Sequence, residues 1–168
     1  MQKTGSLLLI LITTGCVAVV GNTTKATVSD QPIAAVHEGR VTVQPGSLEW
    51  RKGPASLPPG AEMSILEGDP AAAGPFTMRL RLPRNYIVPP HYHPAIERVT
   101  VISGRLHMGM GEKIDMGSAT TLIAGSFSMM PPGMRHFAHT LEESVLQVNG
   151  TGPWRIVYVN SNDDPRNR

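Results

Sequence analysis

From residue 40 onward turn residues cut this chain into short pieces, at Pro45-Gly46, Pro58-Pro59-Gly60, Gly68-Asp69-Pro70, Gly74-Pro75, Ser103-Gly104 and Pro132-Gly133. Glycine adopts backbone conformations closed to other residues, and proline removes a backbone donor, so neither favours a long helix. No helical period is sustained between the breaks. The segments left over suit pleated strands instead. They run Arg40 to Val43, Ser47 to Arg51, Glu62 to Leu66, Phe76 to Leu82, Glu97 to Ser103 and Arg105 to Met110. Further along come Thr121 to Ile123, Ser126 to Met130, Arg135 to His139, Val145 to Asn149 and Trp154 to Asn160. With 17 Gly and 15 Pro among 168 residues, the chain is predicted to be all-β, a sandwich or barrel. Its length suits one domain, and 40 % hydrophobic residues suffice for one ordinary core.

The N-terminus stands apart from that pattern. Lys3 precedes the apolar run Leu7 to Ile12, followed by Thr13-Thr14-Gly15-Cys16. Residues 1–21 read as a secretion signal, because the apolar stretch to Val20 is interrupted and falls short of the ~20 residues that span a bilayer. Cys16 is the only cysteine, which excludes an internal disulfide. It follows Gly15 where bacterial lipoproteins are lipid-modified, giving a lipid anchor in the cell envelope. Thr13 departs from the aliphatic preference of such motifs, so cleavage near Gly21 is the alternative. Residues 22–39 are polar and aperiodic and read as a flexible tether that includes His37. Residues 40–160 form the barrel, and Ser161 to Arg168 a frayed tail. The expected location is periplasm or envelope, otherwise secreted. Formal net charge is +2 with no basic run, so neither nucleic acid nor an anionic membrane surface is an expected partner.

Three of the six histidines fall where metal ligation would need them. His91 and His93 are two apart, so on an extended backbone both imidazoles share a face. Glu97 keeps that parity beyond the bend that Pro94 should impose. His136 follows the turn Pro131-Pro132-Gly133 and opens another short strand. A barrel that sets this strand beside the first completes three imidazoles and one carboxylate, a set suited to Mn, Fe, Ni, Cu or Zn. The competing reading is a metal-free polar cavity. His107 and His139 read as structural or surface residues; Arg135 and Tyr92, each next to a candidate ligand, face the opposite way. Met108, Met110, Met116, Met129, Met130 and Met134 read as filler for a tapering interior, in preference to a cuprous-ion site. Trp50 and Trp154 read as core or cap residues.

The pattern also resembles a known family. His91-Tyr92-His93, three residues, Glu97, six residues and Gly104 resemble the first cupin motif. Gly125, five residues, Pro131, one residue, Gly133, two residues and His136 resemble the second. The resemblance implies a single-domain cupin jelly-roll barrel holding one divalent transition metal on His91, His93, Glu97 and His136. Asn85 stands where the first motif often opens with glycine, and Thr140 where the second often closes with asparagine. The run from Pro89 to Gly104 is similar to the cupin part of zinc-binding anti-sigma proteins. Their N-terminal zinc-binding helical domain has no counterpart before the tether, so sigma-factor binding is not expected. The function implied is metal-dependent dioxygenation or isomerisation of a small molecule, polar or aromatic. The alternative is a non-catalytic ligand-binding or sensory envelope protein. Exposed strand edges favour a homodimer.

Overall fold

The computed structural model describes residues 39–168, which form eleven strands and three 3-10 turns. In chain order the strands are β1 (Arg51–Lys52), β2 (Glu62–Glu67), β3 (Gly74–Leu82), β4 (Ile87–Tyr92), β5 (Glu97–Ser103) and β6 (Arg105–Met110). They continue with β7 (Thr120–Ile123), β8 (Phe127–Met130), β9 (His136–Thr140), β10 (Ser144–Gly152) and β11 (Val157–Tyr158). One sheet has the order β1-β2-β3-β10-β5-β8 and the other β11-β4-β9-β6-β7. Every pairing is antiparallel. The all-β expectation holds.

The core is a direct product of alternation. On β3, Phe76, Met78, Leu80 and Leu82 are buried while Thr77, Arg79 and Arg81 between them are not. Val99 and Val101 on β5, and Leu146 and Val148 on β10, extend that inner face. Val88, Leu106, Met108 and Ala138 meet them from the other sheet. Each such side chain contributes about 1.5–3 kcal/mol of burial.

Several sequence expectations need correction. Arg40–Val43 forms no strand, Ser47–Arg51 gives only the start of the two-residue β1, and Trp154–Asn160 contracts to β11. Conversely, β4, which contains Pro89-Pro90, was not among the predicted strands. Its pairing with β9 shifts register between Val88 and His91, so the two prolines occupy an irregularity where ladder hydrogen bonds are not required. The tail carries regular structure of its own: Ser161–Asp163 and Pro165–Asn167 are 3-10 turns. Arg166 Nη2 donates to the Ile156 carbonyl at 3.2 Å, and Asn167 Nδ2 to that of Ser161 at 2.9 Å. Of the six methionines expected inside, only Met108 and Met130 are buried. Met110, Met116, Met129 and Met134 are 40–49 % exposed: Met110 ends β6, Met129 takes an outward position of β8, and Met116 and Met134 lie in turns. The signal, Cys16, His37 and the tether up to residue 38 lie outside the described residues.

Candidate metal centre

The irregularity in β4 aims the site. Val88 and His91 are three residues apart yet both line the interior, which strict alternation forbids and a shifted register permits. His91 pairs across the ladder with His136, the first residue of β9. His93 follows the end of β4, and Glu97 opens β5 in the opposite sheet. All four side chains are buried. Ring centroids lie 4.3 Å apart for His91 and His136, 5.0 Å for His91 and His93, and 5.4 Å for His93 and His136. Glu97 Oε2 is 3.3 Å from both His93 Nε2 and His136 Nε2.

Backbone carbonyls assign the ring protons. His91 Nδ1 lies 2.7 Å from the Pro89 carbonyl, His93 Nδ1 2.9 Å from that of Arg155, and His136 Nδ1 3.0 Å from that of Met134. A carbonyl only accepts, so each Nδ1 carries the hydrogen and each neutral ring turns an Nε2 lone pair inward. His93 Nε2 is buried with no hydrogen-bond partner. Burial, together with repulsion from His136 and His93, pushes the His91 pKa down to about 3, so that ring is neutral near pH 7. Burial also opposes the charge on Glu97. The His136 and His93 rings, whose Nε2 atoms each lie 3.3 Å from its Oε2, nevertheless hold its carboxyl below the usual range. The carboxylate therefore needs a positive partner on that side, a ring proton or a metal ion. The candidate ligand atoms of the three histidines lie within 4.8 Å of one another, and these buried residues could hold a metal ion. Inward lone pairs on rings anchored through Nδ1 are the pattern of metal-ligating histidine.

The surroundings fix these rings. Trp154 stacks on His93 with centroids 4.4 Å apart, a contact the sequence reading missed when it took Trp154 for a core or cap residue. Asn85 takes a left-handed conformation, φ 58°, as its glycine-like position in the motif implies. Thr140 donates its hydroxyl to the Pro83 carbonyl at 2.6 Å and accepts from the Tyr86 amide at 2.9 Å, tying the turn before β4 to the end of β9. His107 and His139 pair on the outer face of their sheet, with His107 Nδ1 3.0 Å from Thr121 Oγ1. Arg135 is exposed and bridges to Glu112 at 2.9 Å, away from the cluster. Trp50 lies under the Arg81 guanidinium, 4.3 Å from the ring centroid. Beside the four polar side chains is a cavity with about 40 Å³ open to the centre of a water molecule. Its walls are aliphatic, among them Leu80, Val88, Val99, Leu106 and Val148.

Two antiparallel sheets closed around an inward His/Glu cluster are the cupin jelly roll. Residues 38–155 match the ChrR Cupin-like domain family, and the chain belongs to it. Among solved structures, it is similar to a candidate acetylacetone dioxygenase from Methylibium petroleiphilum, with TM-score 0.58 and 19 % identity over 75 % of this chain and 85 % of that one. The polyketide cyclase RemF from Streptomyces resistomycificus matches with TM-score 0.55 and 19 % identity, over 74 % of this chain and 88 % of its own. An RmlC-like cupin from Shewanella frigidimarina matches at 0.51 and 14 %, over 65 % and 87 %. These likenesses establish the fold. No curated protein matches the chain.

Proposed function

We propose that the protein holds one divalent transition-metal ion on His91, His93, Glu97 and His136 and acts on a small molecule inside the barrel by dioxygenation or isomerisation. The observation that carries this reading is the convergence of three Nε2 lone pairs and a carboxylate, with every Nδ1 committed to a carbonyl. When bound, such an ion supplies Lewis-acid or redox chemistry. The chain's own part is to fix the donors, orient a ligand and keep water from the aliphatic walls. Neighbours named as a candidate dioxygenase and a polyketide cyclase support small-molecule chemistry in a barrel of this shape.

Elemental analysis of the purified full chain, beside a His91→Ala/His136→Ala double variant, tests it. Near one Mn, Fe, Ni, Cu or Zn per chain in the parent and loss in the variant is the expected result. No metal in the parent after reloading with each ion overturns it.

One observation favours a second reading. Beyond the four donors, the described residues of the cavity wall contribute no acid, base or nucleophile. A non-catalytic ligand-binding or sensory protein needs none, and saturable binding without chemical change to the ligand would select it. Export through residues 1–21, with lipidation at Cys16 or cleavage near Gly21, belongs to the same proposal. The mass of the mature chain distinguishes those two routes. Homodimerisation completes it, and light scattering is the measurement that decides.

A further inference from the structure

We infer that the ligand of this site has two parts, an oxygen-bearing head at the His/Glu cluster and an uncharged apolar tail between β7 and β8, with Met108 dividing them. The inference rests on the metal reading above. The cavity beside the cluster, about 40 Å³ open to a water centre, admits only a few heavy atoms. A second and larger opening, about 340 Å³ on the same measure, lies beside it. Its position follows from topology: β7 and β8 are edge strands of different sheets, so no ladder closes the barrel there.

Met108 lines both spaces. It is 5 % exposed, and its unbranched thioether is the side chain best able to swing without disturbing its neighbours. The outer opening is lined by Met110, Leu122 and Phe127 with Ser118, Thr120 and Ser128, and among the described residues by no charged one. Phe127 is 59 % exposed and Met110 49 %, apolar surface left open around a space that shares Met108 with the buried cavity. A charged tail would find no counter-ion there, whereas an alkyl or aryl tail would cover both side chains. Continuity through Met108 identifies the occupant as the far end of the molecule whose head reaches the cluster.

The full chain loaded with cobalt(II) is titrated with acetohydroxamate, octanohydroxamate and suberic acid monohydroxamate, using the cobalt absorption band. These share one chelating head and differ only in the tail. Octanohydroxamate is expected to bind at least about tenfold more tightly than acetohydroxamate, the gain from burying roughly two methylene groups. The carboxylated tail should forfeit that gain. Phe127→Ser and Leu122→Ser should also abolish it, leaving cobalt content and acetohydroxamate affinity within about twofold of the parent. Met108→Trp, which narrows the passage, should weaken octanohydroxamate selectively. Equal affinity for the two alkyl hydroxamates, or a gain that survives in all three variants or with the charged tail, overturns the two-part ligand alone. Failure to take up cobalt overturns the metal reading and this inference with it.

Discussion

The indole of Trp154 lies against the imidazole of His93, centroids 4.4 Å apart and planes 15° apart. The next residue, Arg155, offers the carbonyl that holds His93 Nδ1. Two consecutive residues thus set both the plane of the ring and its tautomer. Trp154→Ala is expected to weaken metal affinity about tenfold, the lower end of what loss of a ligand's supporting partner costs. Trp154→Phe should recover most of it. Competition against a chromophoric chelator measures both.

Thr140 is fully buried and serves Pro83 and Tyr86 at once. Thr140→Val keeps the shape and removes the hydroxyl, leaving the Tyr86 amide without that acceptor. A loss of about 1–3 kcal/mol in urea denaturation is expected. Thr140→Ser should restore part of it.

Gly109 lies against Phe137, which is 0 % exposed. A Cβ there would sit 2.2 Å from the Phe137 ring, so the ring must move. Gly109→Ala is expected to cost about 1–3 kcal/mol, read as a lowered melting temperature.

Acid should destabilise the metal-free chain. His91 stays neutral in the fold, with a pKa of about 3 against 6.5 for the free side chain. Between those values the unfolded chain binds more protons, so stability falls as pH falls. The contribution is complete above about pH 6.5 and is lost progressively down to about pH 3, with a slope of up to ~1.4 kcal/mol per pH unit for this one group. Urea midpoints at pH 7.5, 6 and 5 measure it; His91→Gln should flatten the trend.

Most strands were legible because alternation and turn residues are local signals. Phe76 to Leu82 shows its strand in the alternation of its residues, and Gly104 earns its place in the motif at a φ of 81°, where a Cβ would meet Ser144 Oγ at 2.4 Å. The four candidate residues were picked out by their spacing, and the fold brings them together. What escaped was non-local or contrary to propensity. β4 was hidden by Pro89-Pro90, although the irregularity those prolines create is what lets Val88 and His91 face one way. The His93–Trp154 stack joins residues 61 apart in sequence, and no spacing rule reports it. The methionines misled because composition does not say which face of a strand a residue takes: Met129 faces out and Met130 in.

His91 and His136 belong to the five-stranded sheet and His93 follows its β4, whereas Glu97 reaches across from the six-stranded one. The contacts of 3.3 Å from Glu97 to His93 and His136 therefore measure how tightly the two halves of the sandwich are shut. A slip of one sheet over the other by a single ångström would part the carboxylate from the imidazoles while leaving every strand ladder intact. The cluster thus works as a latch between the two sheets, set at the point where their inner faces meet.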